Sequence, residues 1–338
     1  MQIAYITIRP NILKETLEYV SAFLPFVDDI VVVTPARFAP LLNSSKHRMR
    51  VLTDEEVLGD DIERISQLNH QSKNYLLRTN MVKQGVFDDE FIMSDDDARP
   101  LAPIAKTYYK ESGRYHCYYF YDLAEWRYGS GDFDIGQQNT SQVLKVFDLP
   151  HLSYASHMPQ IVNRKVFLES AAKFQSIAGQ YPLCEWSTYF NYAIHSYPEL
   201  FHHPRPFQTM CWPDSPVCWP YYVRPPRYQF ENFSPHLYGA KQPFQGISTK
   251  LQLERADQLS IEKILRWYQF ELRYQIPERR QGVGSIAGNV FRKLLNVILR
   301  PTRKFYRFIS WDDHARLTEL SSRIAFLERD RIQNKDKH

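Results

Sequence analysis

Three successive carboxylates, Asp95, Asp96 and Asp97, close the stretch FDDEFIMSDDDARP, just where the apolar run from Glu90 to Ser94 ends. Side chains alternate along a strand, so the first and third acids of a D-x-D unit share one direction and together could hold a divalent cation, Mn²⁺ or Mg²⁺, while Asp96 points elsewhere. Three acids taken alone are equally a solvated turn, because charge runs are commonly just wet. Glu185, in PLCEWSTYFNYAIH, opens a helix whose apolar and aromatic face is Trp186, Tyr189, Phe190 and Ala193. An acid there either complements the helix dipole or, beside a partly apolar wall, suits the work of a general base. His157, in SHMPQIVNRKVF, is a lone imidazole, a residue more often structural than catalytic. The segment RYGSGDFDIG has glycines but lacks the strand-turn-helix setting and the Lys-Ser/Thr of a phosphate loop, so it is expected to be a mobile flap from Arg127 to Gly136.

These groups must be carried by regular elements, and the pattern of the first hundred residues supplies them. Ile3 to Ile8 is rich in strand formers, and Ile12, Leu13, Leu17, Val20 and Phe23 then recur with helical period until Pro25. Ile30 to Thr34 is an unbroken run of the kind buried on both faces of a parallel sheet, and Arg50 to Thr53 is a third short strand. Helical patterning from Ile62 through Val82 leads into the strand Glu90 to Ser94. The order β, α, β, β, α, β predicts an α/β layered domain with a mixed, mostly parallel sheet. Ligands of such sheets sit outside the carboxyl ends of the strands, which is where the acidic triplet falls. Further on the pattern predicts strands over Tyr115 to Tyr121 and Tyr154 to His157, and helices over Asn163 to Phe174 and Leu259 to Gln275. Residues 203 to 235 are dense in Pro and aromatics and read as an extended segment wrapped over the domain.

Composition narrows the function classes. At 338 residues, with 42 basic and 38 acidic side chains, the net charge of +4 does not imply a nucleic-acid partner. Cys117, Cys184, Cys211 and Cys218 show no C-x-x-C spacing and are too few for a disulfide framework, which suits a reducing compartment. The opening MQIAYITIRP is neither a basic leader nor a long apolar one, and no run of about 18 apolar residues occurs, so a chain made in the cytoplasm is expected.

In position and setting the D-x-D unit resembles that of nucleotide-sugar glycosyltransferases of the GT-A type, a Rossmann-like fold in which the motif follows the fourth strand. The resemblance implies that Asp95 and Asp97 hold manganese or magnesium against the diphosphate of a UDP-linked donor, that Asp96 faces the donor's ribose or sugar, and that Thr7, Arg9 and Arg78 grip the nucleotide. It also implies Glu185 as the base that deprotonates an acceptor hydroxyl, as in inverting members. The segments LEYVSAFLPFVDDIVVVTP, RVLTDEEVLG and DDEFIMSDDDARPL resemble, in their order, the Stealth-type capsule sugar-phosphate transferases, whose Trp-Val-Asp opening is absent here. SHMPQIVNRKVF is similar to a His-x-Pro stretch of those enzymes that borders the acceptor, which implies a catalytic-side role for His157. HLYGAKQPF resembles the His-x-x-Gly-x-x-Lys-Pro-Trp motif of glycogenin-type retaining transferases, with Gln242 at the Lys position and Phe244 at the Trp position. That likeness implies His236 as a third metal ligand, with Gly239 and Lys241 near the diphosphate.

The C-terminal part changes character. From Val290 to Trp311 six basic residues and no acid are interleaved with aromatic and aliphatic ones, a composition that suits an anionic membrane surface, or else a helix packed on the domain. Leu317, Leu320, Ile324 and Leu327 step as a short coiled-coil seam would, so 312–330 is a candidate homodimer contact. The expected organisation is a catalytic domain over 1–258 (nucleotide-binding half 1–105, acceptor half 106–258), a helical, basic, membrane-proximal segment over 259–311 and a tail over 312–338. The expected activity is metal-dependent transfer of a sugar to a surface polysaccharide or lipid-linked glycan at the inner face of the cell membrane. The rival expectations are sugar-1-phosphate transfer and a non-catalytic, membrane-associated, glycan-binding scaffold.

Overall fold

The computed structural model describes residues 1–126, 129–211 and 227–275. Strand β1 (Gln2–Ile6) leads into helix α1 (Pro10–Phe23), where Pro10 fits the first helical turn because the missing N–H would have had no partner there. Next come β2 (Asp29–Thr34), β3 (Arg48–Thr53) and the short helix α2 (Asp54–Leu58), opened by a reciprocal capping box between Thr53 and Glu56. The helical pattern expected to run from Ile62 to Val82 is broken in two. Helix α3 (Ile62–Ser66) stops, and α4 (His70–Lys83) restarts after Asn69, whose side chain accepts from the Ser72 N–H at 2.9 Å.

Strand β4 (Glu90–Asp95) and the short β5 (Ala98–Pro100) flank the acidic turn. The single strand expected over Tyr115 to Tyr121 is instead divided among β6 (Lys110–Glu111), β7 (Arg114–Tyr115), β8 (Tyr118–Tyr119) and β9 (Tyr121–Asp122). Helix α5 (Asp132–Val146) starts inside the expected flap, so Asp132 to Gly136 are its first turn; Arg127 and Tyr128 lie outside the described residues. The strand expected at Tyr154 to His157 is displaced to either side, as β10 (Leu152–Ser153) and β11 (Gln160–Asn163). Helices α6 (Arg164–Ala178) and α7 (Glu185–Ser196) follow, then β12 (Arg205–Pro206), β13 (Thr209–Met210), β14 (Phe230–Asn232) and α8 (Ala256–Gln275).

The central sheet has the order β11-β4-β1-β2-β3, parallel except for the edge strand β11, and helices flank it. This is the mixed, mostly parallel α/β arrangement expected. From β1 the chain builds outward through β2 and β3, then returns to place β4 on the other side of β1, so the direction of winding reverses between β1 and β4. In the paired register Ile6 faces both Val33 and Asp95, which brings the ends of β1 and β4 level. A small sheet, β13-β14-β5, is laid beside them, with Asn232 paired to Ala98.

Helix α8 packs on this body. Trp267 is fully buried, Lys263 pairs with Glu231 at 2.8 Å, and the Ser260 hydroxyl donates to the Leu101 carbonyl. Residues 259–271, expected to begin an appendage, thus carry side chains that pack on this body. The Gly-rich stretch 281–288, the basic segment 290–311, the tail 312–338 and residues 212–226 of the Pro-rich segment lie outside the described residues. Among the described residues no helix is long and apolar enough to cross a membrane.

Candidate active site

Thr7, Arg9 and the acidic triplet meet where the winding reverses. The Thr7 hydroxyl donates to Asp96 Oδ2 at 2.6 Å and accepts from the Arg9 N–H at 2.8 Å. The Arg9 guanidinium reaches across the turn, bonding Asp96 and, at 2.7 Å, Asp97 Oδ2. Asp97 also accepts from Asn232 Nδ2 at 2.8 Å, and its carbonyl accepts from the Phe233 N–H at 2.7 Å, so β14 closes one side of the turn. Asp96 is the most buried of the three acids and faces back onto β1, whereas the side chains of Asp95 and Asp97 keep 27% and 14% of their surface exposed. Asp96, expected to face a donor's ribose or sugar, is instead held against Thr7 and Arg9, while the more exposed Asp95 and Asp97 turn to different cations, Arg78 and Arg9.

On the other flank Arg78 bridges two carboxylates. Its NH2 lies 2.7 Å from Asp95 Oδ1 and its Nε 2.8 Å from Glu185 Oε1, the latter as an ion pair off the hydrogen-bonding axis. Its guanidinium sits 4.9 Å from the Trp186 ring, and its NH1 is buried with no hydrogen-bond partner. A guanidinium nitrogen so enclosed meets no ligand unless its neighbours move, so Arg78 acts on the two carboxylates it bridges. Gln71 approaches Glu185 Oε2 at 3.5 Å. His157 completes the cluster, with Nδ1 3.6 Å from Asp95 Oδ2, on a backbone held at φ of 48°, a left-handed conformation that side chains other than Gly adopt at a cost.

The electrostatics follow from this wiring. Burial alone would raise the Asp95 carboxyl, but His157 and Arg78 hold it well below its ordinary range. Asp97 is pushed up, first by burial and then by the neighbouring charge of Asp95. Burial also raises Glu185, against the opposing pull of Arg78. Four carboxylates (Asp95, Asp96, Asp97, Glu185) thus share two guanidinium groups, Arg9 and Arg78, which leaves two excess negative charges if all are ionised and His157 is neutral. Hard carboxylate oxygens, like-charge crowding and a deficit of two positive charges fit a divalent cation of the Mg²⁺ or Mn²⁺ class.

No protein-family model matches the chain. No curated protein matches it either. Among solved structures, mouse xyloside xylosyltransferase 1 in its apo form is similar over 70% of this chain and 97% of its own, at 11% identity and a TM-score of 0.41. An active-site mutant of LgtC covers 77% of this chain and 95% of its own, at 12% identity and a TM-score of 0.39. Galactosyltransferase LgtC in complex with donor and acceptor sugar analogs covers the same shares at 12% identity and a TM-score of 0.35.

The remaining expected site residues lie at the margin. His236 is exposed on the turn Pro235–Tyr238, its Nδ1 2.6 Å from the Ser234 hydroxyl, and among the described residues Asp95, Asp97 and His236 do not form a set with ligand atoms within 4.8 Å of one another. Gly239 ends that turn, where a Cβ would stand only 3.2 Å from the His236 carbonyl oxygen. Lys241 holds φ at 64° and lines a cleft with Gln242, Pro243 and Arg266. Sequence reasoning overlooked Asn232, Gln71 and Trp186 as partners. Only Gln71 carried a signal, since it stands seven residues, about two turns, before Arg78 on one helix face.

Proposed function

We propose that this chain is a metal-dependent glycosyltransferase of the GT-A type, moving a sugar from a nucleotide-sugar donor to a glycan acceptor. The observation that carries the reading is the convergence of Thr7, Arg9 and the Asp95–Asp97 turn on the carboxyl ends of β1 and β4, across the point where the winding reverses. Open α/β sheets bind ligands in that crevice. Asp95 and Asp97 would hold the ion; His236 enters the set only with a shift of its turn toward them. A divalent ion held there supplies charge neutralisation for a departing diphosphate.

The chain's own residues do the rest. Arg9, with 43% of its side chain exposed, offers donors to phosphate or sugar oxygens beside the acidic pair, while the enclosed Arg78 sets the position and charge of Asp95. Glu185 is nearly inaccessible and ion-paired, so its task in this reading is to position Arg78 and through it Asp95. His157, with 38% of its side chain exposed beside Asp95, is the group better placed to meet an acceptor hydroxyl. The donor is UDP-linked and the acceptor a surface polysaccharide or lipid-linked glycan, as the resemblance of the D-x-D unit to GT-A transferases implies, and the basic, aromatic-rich composition of 290–311 supports its holding the enzyme at the anionic inner face of the cell membrane.

Thermal-shift titration with nucleoside diphosphates and nucleotide sugars, with and without Mn²⁺, tests the reading. A Mn²⁺-dependent rise in Tm with a uridine diphosphate ligand, abolished by Asp97→Asn, is expected. Stabilisation by none of the nucleotides would overturn it.

A further inference from the structure

A second cluster of ligating side chains lies away from the acidic triplet. Glu111, at the end of β6, His116, just after β7, and His202, at the approach to β12, each bring one ligand atom to within 4.8 Å of the others. The β6–β7 hairpin is tied to Glu90, because Lys110 pairs with that carboxylate and the Tyr115 hydroxyl donates to it at 2.7 Å. Glu90 opens β4 and Asp95 closes it, about 16 Å away at five residues' rise, so the hairpin is tied to the end of that strand opposite the acidic turn.

We infer that Glu111, His116 and His202 form a binding site for a borderline transition metal, of which Zn²⁺ is the type, separate from the carboxylate pair of the candidate active site. Three observations point there. His116 Nε2 stands 3.4 Å from Glu111 Oε2. Two ligand atoms on a tetrahedral Zn²⁺ with bonds of 2.0–2.1 Å are separated by about 3.3 Å, so this pair is already spaced for a shared ion. His116 is also 1% exposed, and its Nδ1 is buried with no hydrogen-bond partner. Its Nε2 is thus the nitrogen turned to Glu111, and burial fixes the ring in that orientation. Finally, the half-buried His202 ring lies beside that of His116, 4.3 Å between centroids, so that turning it out of the stack brings its lone pair to the shared ion, and its Nε2 lies 3.1 Å from the Glu111 carbonyl oxygen. A ring N–H given to a backbone carbonyl leaves the lone pair on the other nitrogen, the usual arrangement of a metal-bound imidazole.

The donor set separates this site from the acidic one. Two imidazoles and one carboxylate suit Zn²⁺ and its neighbours, whereas the Asp95 and Asp97 oxygens suit Mg²⁺ and Mn²⁺. With three protein ligands, a water would complete a tetrahedron. The role is structural: the ion clips the β6–β7 hairpin to a segment 91 residues on, alongside the Arg114 bond to the Phe201 carbonyl and the bridge between Tyr115 and Phe201.

The full chain, stripped with chelator and held in excess Mg²⁺ to occupy hard-ligand positions, should be titrated with Zn²⁺ by calorimetry and with Co²⁺ by visible absorption. One equivalent of Zn²⁺, a tetrahedral Co²⁺ spectrum and a Tm rise of about 5 °C or more at saturation are expected. Because His116→Ala could fail to fold, His202→Ala and Glu111→Gln carry the test, with far-UV circular dichroism in chelator confirming that they fold. Both should bind Zn²⁺ at least tenfold more weakly, and Asp95→Asn/Asp97→Asn should bind it as the parent does. Zn²⁺ binding absent from the parent, unchanged in the two ligand variants, or lost in the double aspartate variant would overturn the inference.

Discussion

Replacing Arg78 by Met probes the bridge on which the candidate site depends. Arg78 is 5% exposed and faces Glu185, 4% exposed, and Asp95, 27% exposed at its side chain. Methionine fills much of the volume but leaves Glu185 as an uncompensated buried charge, a change that costs about 3–5 kcal/mol in other buried pairs. Asp95 retains solvent and His157, so its share is under about 1 kcal/mol. Set against a typical domain stability of about 5–15 kcal/mol, the loss would be severe but measurable. Glu185→Gln alone leaves Arg78 its Asp95 partner and should cost about 1–2 kcal/mol. In the double variant no buried charge is stranded, so the two losses should fall short of additivity by about 2 kcal/mol or more. Urea unfolding of the four proteins at pH 7 gives the cycle. Burial already raises the Glu185 carboxyl, and a carboxyl with a raised folded value is lost as a stabilising proton site when pH climbs through that value. Arg78→Met should therefore regain stability as pH falls from 7 toward 5. Additive losses, or an Arg78→Met protein as stable as its parent, would refute the picture of a coupled buried pair.

Thr7→Val should leave Asp96 one donor short in a buried position, lowering stability by about 1–3 kcal/mol in denaturant melts. Arg9→Ala should weaken binding of a nucleoside diphosphate while tightening Mn²⁺ binding in its absence, because Asp97 loses the cation that now neutralises it; calorimetric titration reads both. The depressed Asp95 carboxyl contributes stability above its ordinary value of 3.8 that is lost as pH falls further, so acid unfolding below about pH 4 should be less steep in Asp95→Asn than in the parent. Trp267→Ala should cost about 3–5 kcal/mol and loosen α8 from the body, visible as faster amide exchange over that helix.

How much of this was legible in the sequence depended on whether local rules governed it. Strands β1 to β4 could be read because unbroken runs such as Ile30 to Thr34 admit little besides burial between layers, and the acidic turn fell at the carboxyl end of β4 for the same reason. Apolar spacing continues across Asn69, so α3 and α4 read as one helix, and it is the capping bond from the Ser72 N–H to Asn69 that marks the new start. The strand over Tyr115 to Tyr121 was overextended: its aromatic residues are core from several directions, and pairing with different partners (β7 with β6, β8 with β12, β9 with β10) divides it. Within the site, Arg78 and Glu185 could each be chosen from position, but their union spans 107 residues and is decided by how α4 meets α7. Asn232 had no local mark at all, since its bond to Asp97 exists only through the register of β14 on β5. HLYGAKQPF, by contrast, could be picked out by spacing, yet the fold leaves His236 turned to Ser234.

The central claim is that Asp95 and Asp97 serve transfer of a sugar from a nucleotide. Incubating the full chain with a panel of nucleotide sugars and Mn²⁺, and resolving the released nucleotide by chromatography, tests it most directly. Release of a nucleoside diphosphate from one donor class, dependent on the divalent ion and reduced at least a hundredfold by Asp95→Asn/Asp97→Asn, is the predicted result. A nucleoside monophosphate product, or turnover unchanged in the double variant, would contradict it.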